Sequence, residues 1–177
     1  DDNNCNGTVD ENSAVDARTW YADSDGDGFG DPATSQVACN QPSGYVSQNL
    51  DCNDSDADAN PGATEYCDGD DDNCNGVVDE DSAADALTWY DDSDGDGYGD
   101  PASSSLACSQ PSDSVSDNTD CDDSAADSNP AGLEVCDGLD NNCDGLVDEE
   151  SAANATQWYA DADADGFGDA GAVLTRC

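Results

Sequence analysis

The stretch Asp23-Ser-Asp-Gly-Asp-Gly-Phe-Gly-Asp31 decides how this chain folds. Asp23, Asp25 and Asp27 place carboxylates at positions 1, 3 and 5 of a loop, and a glycine at position 6 allows a sharp turn. Oxygen side chains in this alternation, with the carbonyl oxygen of position 7 and a carboxylate at position 9, wrap a hard divalent cation. The stretch therefore predicts a cation loop in which Asp31 is the position-9 ligand.

The same stretch returns twice at intervals of 69 residues, at 92–100 and 161–169. We call 23–31, 92–100 and 161–169 the A loops. Position 12, which usually supplies a bidentate ligand, is Thr34 in the first of them. The predicted A-loop ligands are Asp23, Asp25, Asp27, the carbonyl of Phe29 and Asp31; Asp92, Asp94, Asp96, the carbonyl of Tyr98 and Asp100; and Asp161, Asp163, Asp165, the carbonyl of Phe167 and Asp169.

A second class of loop has the same oxygen spacing but contains more asparagine. We call 2–10, 71–79 and 140–148 the B loops. Their predicted ligands are Asp2, Asn4, Asn6, the carbonyl of Thr8 and Asp10; Asp71, Asn73, Asn75, the carbonyl of Val77 and Asp79; and Asp140, Asn142, Asp144, the carbonyl of Leu146 and Asp148.

A third loop is predicted between the other two, with its ligand register left open. Asp54, Asp56, Asp58 and Glu65 occupy positions 1, 3, 5 and 12 of this loop. The second copy keeps Asp123, Asp127 and Glu134 but has Ala125 in place of the second carboxylate. Two to three calcium ions per repeat are therefore expected.

The composition is strongly acidic and favours a neutralising cation. The 177 residues carry 44 acids against 2 bases and no His, for a formal charge of −42. Self-repulsion of this size destabilises a compact chain, and regular Gly, Trp and Cys placement favours a cation-dependent fold over a disordered acidic chain. Nucleic acid is excluded as a partner because binding phosphates needs Lys and Arg. No apolar run is long enough to insert into a membrane.

Catalysis has no support in the sequence. The chain has no His and therefore no Ser-His or Cys-His pair, and it has no phosphate-binding glycine loop. The many carboxylate pairs lie in repeated loops, whereas catalytic residues rarely repeat along an array. We expect a protein that is not an enzyme.

The period of 69 divides the chain into copies at 1–66, 67–135 and 136–177. We expect a window of a longer linear array of stacked modules. Each module is predicted to be small, disulfide-rich, calcium-stabilised and mostly loop, with short β-hairpins and short helical turns. Specifically, the sequence predicts a strand at Thr19-Trp20-Tyr21, a hairpin of 36–39 with 45–47, and helical turns at 82–87. Trp20, Phe29, Val37 and Val46 form the predicted core.

Ten Cys without His predict disulfides and an oxidising, extracellular or cell-surface location. Two regular pairing schemes are open. The preferred local scheme joins Cys39 to Cys52, Cys67 to Cys74, Cys108 to Cys121 and Cys136 to Cys143, because a hairpin would bring the first pair within disulfide distance. The alternate scheme joins Cys5 to Cys39, Cys52 to Cys67, Cys74 to Cys108, Cys121 to Cys136 and Cys143 to Cys177.

The segment Cys136-Asp-Gly-Leu-Asp-Asn-Asn-Cys-Asp-Gly145 and its copy from Cys67 resemble the metal-binding repeat named after the MopE copper protein of methane-oxidising bacteria. The A loops are similar to thrombospondin type 3 calcium repeats. The first resemblance implies a metal-binding repeat of secreted bacterial surface proteins. Copper sites in that family draw on His, which this chain lacks, so copper is not expected and oxygen ligands favour calcium.

Two functions remain open. The first is a calcium-rigidified stalk or filament outside the cell, in which neighbouring repeats and other copies of the chain are the partners. The alternative is a calcium-dependent adhesin or binding module within a larger secreted protein. Glycans are a further expectation, because Asn6-Gly-Thr8, Asn53-Asp-Ser55 and Asn154-Ala-Thr156 fit the acceptor pattern.

Overall fold

The computed structural model describes residues 8–9, 12 and 14–177. The predicted ligands Asp2, Asn4, Asn6 and Asp10 and the thiol of Cys5 lie outside the described residues. The chain divides into two compact units, Asp1–Ala86 and Leu87–Cys177.

The described part of the chain contains eight short strands in three antiparallel sheets and no helix. In the first unit, β1 (Arg18–Ala22) lies between β2 (Ser35–Ala38) and β3 (Tyr45–Val46). In the second unit, β4 (Leu87–Asp91), β5 (Ser104–Ala107) and β6 (Ser114–Val115) repeat this order. A two-stranded sheet of β7 (Thr156–Ala160) and β8 (Asp169–Arg176) follows.

β1, β4 and β7 each contain the aromatic pair that the sequence singled out, so the strand predicted at Thr19-Trp20-Tyr21 is confirmed. The predicted hairpin of 36–39 with 45–47 is wrong. Thr19 pairs with Val37 on one edge of β1, and Tyr21 pairs with Val46 on the other. The A loop itself connects β1 to β2, and β3 pairs with the opposite edge of β1.

The helical turns predicted at 82–87 are also wrong. This segment consists of single turns, in which Ala86 N donates to Ala83 O at 3.1 Å. Its other polar groups pair at long range: Ala84 N donates to Glu65 O at 2.8 Å, and Asp85 Oδ1 accepts a hydrogen bond from Cys67 N at 2.8 Å. These bonds take the groups that a continuing helix would use.

The apolar core is far smaller than predicted. Among the described residues the buried apolar side chains are all alanine: Ala22, Ala38, Ala59, Ala83, Ala107 and Ala152. Val37, a predicted core residue, is 49% exposed. Trp20 is half-buried and donates from Nε1 to Ala38 O at 3.0 Å. A core of this size does not offset the conformational entropy of the chain, so the crosslinks and the charged sites must contribute.

Both pairing schemes for the cysteines are wrong. Cys52 bonds to Cys74 with a Cα–Cα distance of 5.5 Å, and the 69-residue period repeats this bond as Cys121–Cys143. Cys136 bonds to Cys177 with a Cα–Cα distance of 5.3 Å. The cysteines Cys67 and Cys108 are also disulfide-bonded. The local scheme rested on a hairpin between β2 and β3, and that hairpin is not formed.

Within the described residues, no helix has the length and apolar character needed to cross a membrane.

Candidate metal centre

The A loop of the first unit is a closed loop at the end of β1. Asp31 N donates to Ala22 O at 2.8 Å, which closes the neck of the loop, and Asp23 N donates to Gly44 O at 3.0 Å. Gly28 has a φ of +97°, a left-handed conformation that L side chains rarely adopt. The glycine at position 6 is therefore required by the backbone.

The three alternating carboxylates of this loop point inward together. One oxygen of each accepts a backbone hydrogen bond: Asp23 Oδ1 from Gly26 N at 2.8 Å, Asp25 Oδ1 from Asp27 N at 3.2 Å, and Asp27 Oδ1 from Phe29 N at 2.7 Å. The second oxygens of Asp25 and Asp27 are buried and have no hydrogen-bond partner. One oxygen from each of the three residues lies within 4.8 Å of the other two.

Two further carboxylates reach this cluster from the segment that follows β3. Oxygens of Asp25, Asp51 and Asp54 lie within 4.8 Å of one another. Asp51 is only 4% exposed, and its Oδ2 has no hydrogen-bond partner. Asp54 is held by Ser24, which donates from N at 2.7 Å and from Oγ at 2.6 Å. The complete A site thus holds five carboxylates.

The second unit builds the same A site. Asp92, Asp94 and Asp96 form one group, and Asp94, Asp120 and Asp123 form another, each within 4.8 Å. Asp120 is 3% exposed. One difference is that Asp96 Oδ2 accepts a hydrogen bond from Asn129 Nδ2 at 2.7 Å.

The electrostatics of the A sites favour a bound cation. Burial raises the pKa of Asp51, and the neighbouring charges of Asp27, Asp25 and Asp54 raise it further, against a lowering hydrogen bond from Asn53 N. Burial and the charges of Asp96, Asp94 and Asp123 likewise raise the pKa of Asp120. A divalent cation removes this repulsion and supplies the missing partner of the buried oxygens.

In the first two A loops the predicted position-9 residues, Asp31 and Asp100, begin the turn that follows the loop, whereas Asp169 begins β8. Asp31 Oδ1 accepts a hydrogen bond from Ala33 N at 2.7 Å, and Asp100 Oδ1 accepts one from Ala102 N at 2.8 Å. Hydrogen bonds from the Thr34 side chain and from Ala33 N lower the pKa of Asp31.

The structure divides the residues of the predicted third loop between the other two sites. Asp54 belongs to the A site, whereas Glu65 accepts hydrogen bonds from the B loop. Asp56 Oδ1 accepts a bond from Asp58 N at 3.2 Å within a local turn. In the second unit, Asp123 and Glu134 divide in the same way, and Asp127 lines a surface cavity beside Asp96.

The B loop of the first unit is folded around its first carboxylate. Asp71 accepts hydrogen bonds from Asn75 N at 3.0 Å and from Gly76 N at 2.9 Å. Glu65, 6% exposed, accepts from Asn73 N at 3.1 Å and from Asp79 N at 3.2 Å. Burial raises the pKa of Glu65.

Glu80 closes the B loop from its far end. Its Oε1 accepts hydrogen bonds from the side-chain amides of Asn73, at 3.3 Å, and of Asn75. Asp79, the predicted position-9 ligand, instead accepts a bond from Gly69 N at 2.9 Å.

The second unit repeats the B-loop arrangement with one more carboxylate among the predicted ligands. Glu134 accepts hydrogen bonds from Asn141 N at 3.0 Å and Asp148 N at 3.1 Å, and Gly138 N donates to Asp148 Oδ1 at 2.9 Å. Asp144 stands where the first unit has Asn75. The Asn75 side-chain amide lowers the pKa of Glu80. For Glu149, its own backbone N–H lowers the pKa, but burial and the charges of Asp144 and Glu134 outweigh it and raise the pKa.

The third A loop repeats the folding of the first two but is open to solvent. Asp161 accepts hydrogen bonds from Asp165 N at 3.2 Å and from Gly166 N at 3.0 Å. Asp161, Asp163 and Asp165 are all exposed, whereas the equivalent residues of the first two loops are half-buried.

Sequence reasoning missed Asp51, Asp120, Glu80 and Glu149 because they lie outside the nine-residue loop pattern. A signal for the first pair was present in the last glycine of the A loops. A Cβ on Gly30 would lie 2.8 Å from both Ala22 O and Tyr21 Cβ, and Gly30 O accepts a hydrogen bond from Asp51 N at 3.4 Å. This glycine marks where another segment approaches the loop closely.

The donor chemistry of these sites fits a hard cation. Carboxylate, amide and carbonyl oxygens are the ligands that Ca²⁺, Mg²⁺ and Mn²⁺ prefer. Asp120 also lies near Cys121 and Cys143, but these two thiols are joined in a disulfide and cannot act as thiolate ligands.

Comparison with known proteins supports metal binding by this chain. A family model described as "Cu-binding_MopE: Putative metal-binding motif" matches residues 2–11, 51–80 and 120–149. The chain carries this metal-binding motif. The prediction of a MopE-type repeat is thereby confirmed. Each 30-residue match begins at the buried Asp51 or Asp120 and ends just after a B loop, while the A loops lie outside the matches. No curated protein and no solved structure matches the chain significantly.

Proposed function

We propose that this chain is a calcium-binding structural repeat protein that works outside the cell or on its surface. The observation that carries the proposal is the A site, in which buried carboxylate oxygens without hydrogen-bond partners face one another in both units. An uncompensated buried carboxylate is strongly destabilising, so a fold that repeats such a cluster needs a cation there.

Calcium is proposed over other metals because of ligand type and number. We call a B loop together with its two glutamates, Glu65 and Glu80 or Glu134 and Glu149, a B site. The A and B sites offer oxygen atoms only, and a site of five carboxylates suits the six to eight oxygen ligands of calcium better than the octahedral shell of Mg²⁺. Copper in proteins is usually bound by His, Cys or Met, and the chain has no His and no Met. We propose two ions per complete repeat, one in the A site and one in the B site.

The ions are proposed to act as part of the fold. The apolar core consists of alanines, and each unit is braced by a disulfide that ends in its B loop. Several disulfides favour an extracellular protein, where millimolar calcium fills sites with a dissociation constant near about 10⁻⁴ M. The repeated carboxylates support a structural role rather than a catalytic one.

The proposed assembly is a stalk or filament in which neighbouring repeats and other copies of the chain are partners. The regular period supports it, because repeat proteins stack modules along one axis. Glycans are a further part of the proposal, since the acceptor side chains of Asn53 and Asn154 are exposed. Negative-stain microscopy of the native material separates a fibre from a binding module on a larger protein.

Calcium binding is tested by isothermal titration of the metal-free protein with Ca²⁺, Mg²⁺ and Cu²⁺ in parallel. We expect calcium to bind with the highest affinity, and to raise both the melting temperature and the resistance to protease. Tighter binding of copper, or melting curves that calcium leaves unchanged, would refute the proposal.

A further inference from the structure

We infer that a buried aspartate from the segment that leads to the B loop, Asp120 in the second unit and Asp51 in the first, is the ligand that completes the A site. The position-9 aspartates Asp100 and Asp31 are not ligands. This inference rests on the proposed function and identifies which side chain controls affinity at the A site. The ion then joins two segments of the chain that are far apart in sequence.

The carboxylate of Asp120 is buried with one oxygen unpaired. Asp120 is 3% exposed; its Oδ1 accepts a hydrogen bond from Asp122 N at 2.9 Å, and its Oδ2 has no hydrogen-bond partner. Buried polar atoms are almost always paired, so such an oxygen needs an explanation. Oxygens of Asp94 and Asp123 lie within 4.8 Å of an oxygen of Asp120, which places a cation position among the three residues.

The same arrangement occurs at Asp51 in the first unit. Asp51 is 4% exposed, its Oδ1 accepts from Asn53 N at 2.7 Å, and its Oδ2 also has no partner. The same oxygen is therefore left unpaired at the same position of the repeat, 69 residues apart. A chance packing defect would not be expected to recur in this way.

Backbone contacts on both sides of Asp120 hold this residue beside the A loop. Asp120 N donates to Gly99 O at 3.2 Å, and a Cβ on Gly99 would lie 2.7 Å from Asp117 O. The next residue, Cys121, is fixed by its bond to Cys143. A hydrogen bond on one side and a disulfide on the other hold Asp120 against the loop.

The carboxylate of Asp100, the alternative ligand, is hydrogen-bonded in the turn that follows the loop. Asp100 Oδ1 accepts a hydrogen bond from Ala102 N at 2.8 Å, in the turn that leads to β5, and Ser103 N donates to Asp100 O at 3.1 Å. The residue therefore shapes the turn after the loop. The side chain that the loop pattern predicts as a ligand and the side chain that the structure supplies are thus different residues.

The second unit allows this to be tested with a site-resolved probe. Tyr98 stands at position 7 of its A loop, where the first unit has Phe29, and it lines a surface cavity together with Asp96 of the A site. Tyrosine-sensitised emission of Tb³⁺, followed on the full chain, therefore reports this site, and the Tyr98→Phe variant identifies the part of the signal that comes from it. Competition with Ca²⁺ then gives the calcium affinity.

We compare Asp120→Asn with Asp100→Asn, which removes the same charge from the rival residue. Asp120→Asn should raise the calcium dissociation constant about tenfold or more, whereas Asp100→Asn should change it less than about threefold. The reverse order, or equal small effects, overturns the inference while leaving calcium binding intact. If the unaltered chain binds no calcium, it is the proposed function that fails.

Misfolding of the variant is controlled in two ways. Asp120→Asn keeps the Oδ1 acceptor and removes a repelled charge, so in chelator its melting temperature should be no lower than that of the unaltered chain. If it is lower, Asp120→Glu replaces it, because the longer side chain keeps the charge but displaces the oxygen. A Glu variant that folds and binds calcium as tightly as the unaltered chain refutes the role of Asp120.

Discussion

Replacing Asp51 by Asn should make the first unit more stable without calcium and reduce the further stabilisation that calcium provides. The substitution keeps the shape of the side chain and its Oδ1, which accepts a hydrogen bond from Asn53 N at 2.7 Å. It removes one negative charge from a cluster in which oxygens of Asp25 and Asp54 lie within 4.8 Å. The apo protein loses a repulsion, and the calcium form loses a ligand.

The magnitudes follow from these distances and from mass action. Two like charges at about 4–5 Å repel by about 1 kcal/mol when well solvated and more when buried, so the variant should be more stable in chelator by at least that amount. With a dissociation constant near about 10⁻⁴ M, about 10 mM calcium stabilises the unit by about 2.7 kcal/mol. A tenfold weaker site retains about 1.4 kcal/mol of this, so the rise in melting temperature that calcium produces in a unit of this size should shrink by roughly 5–10 °C.

Differential scanning calorimetry in EDTA and in excess calcium measures both the melting temperature of the apo protein and the rise that calcium produces. Asp16→Asn is the matched control, because Asp16 is exposed and its replacement makes the same change in net charge. We expect the melting temperature of this control to differ little from that of the unaltered chain in either buffer. A lower melting temperature for Asp51→Asn in both buffers would refute the reasoning, since it would show that the carboxylate stabilises the fold without an ion.

Three further outcomes test other parts of the structure. Gly30→Ala should destabilise the first unit by more than about 1 kcal/mol, because the new methyl group overlaps backbone atoms; urea melts check this, with Gly62→Ala, at a roomier turn, as the comparison. Replacing Cys52 and Cys74 together by Ser should cost about 3 kcal/mol and weaken calcium binding, which titration of the variant measures; unchanged affinity would show that the crosslink does not position the A site. In chelator, stability should fall as the pH rises through the raised pKa values of Asp51 and Asp120, because the folded state holds those protons more tightly than the unfolded state. A melting temperature that increases with pH over this range would contradict this prediction.

The sequence predicted the local features of this protein well. Alternating aspartates predicted the A loops, and the structure brings Asp23, Asp25 and Asp27 together. Adjacent aromatics after Thr19 predicted β1. Both signals are contained in fewer than ten consecutive residues, where backbone geometry alone decides the outcome.

Long-range features could not be predicted from such patterns. The Cys52–Cys74 bond and the approach of Asp51 to the first A loop depend on which edge of β1 accepts β3. Two residues in β3 carry too little sequence signal to decide that pairing. The predicted core failed for a related reason, since sheets this narrow leave Val37 exposed, and among the described residues alanines are the only apolar side chains that are buried.

The alanine core has a consequence for how the molecule responds to temperature. The heat capacity change of unfolding comes from apolar surface that becomes exposed to water, and the described residues bury no large side chain completely. The heat capacity change per residue should therefore fall below the usual range of about 12–15 cal/mol/K. A small value flattens the curve of stability against temperature, so both cold and heat act weakly on the fold. Over a wide temperature range the calcium concentration of the surroundings would then decide whether the chain is folded.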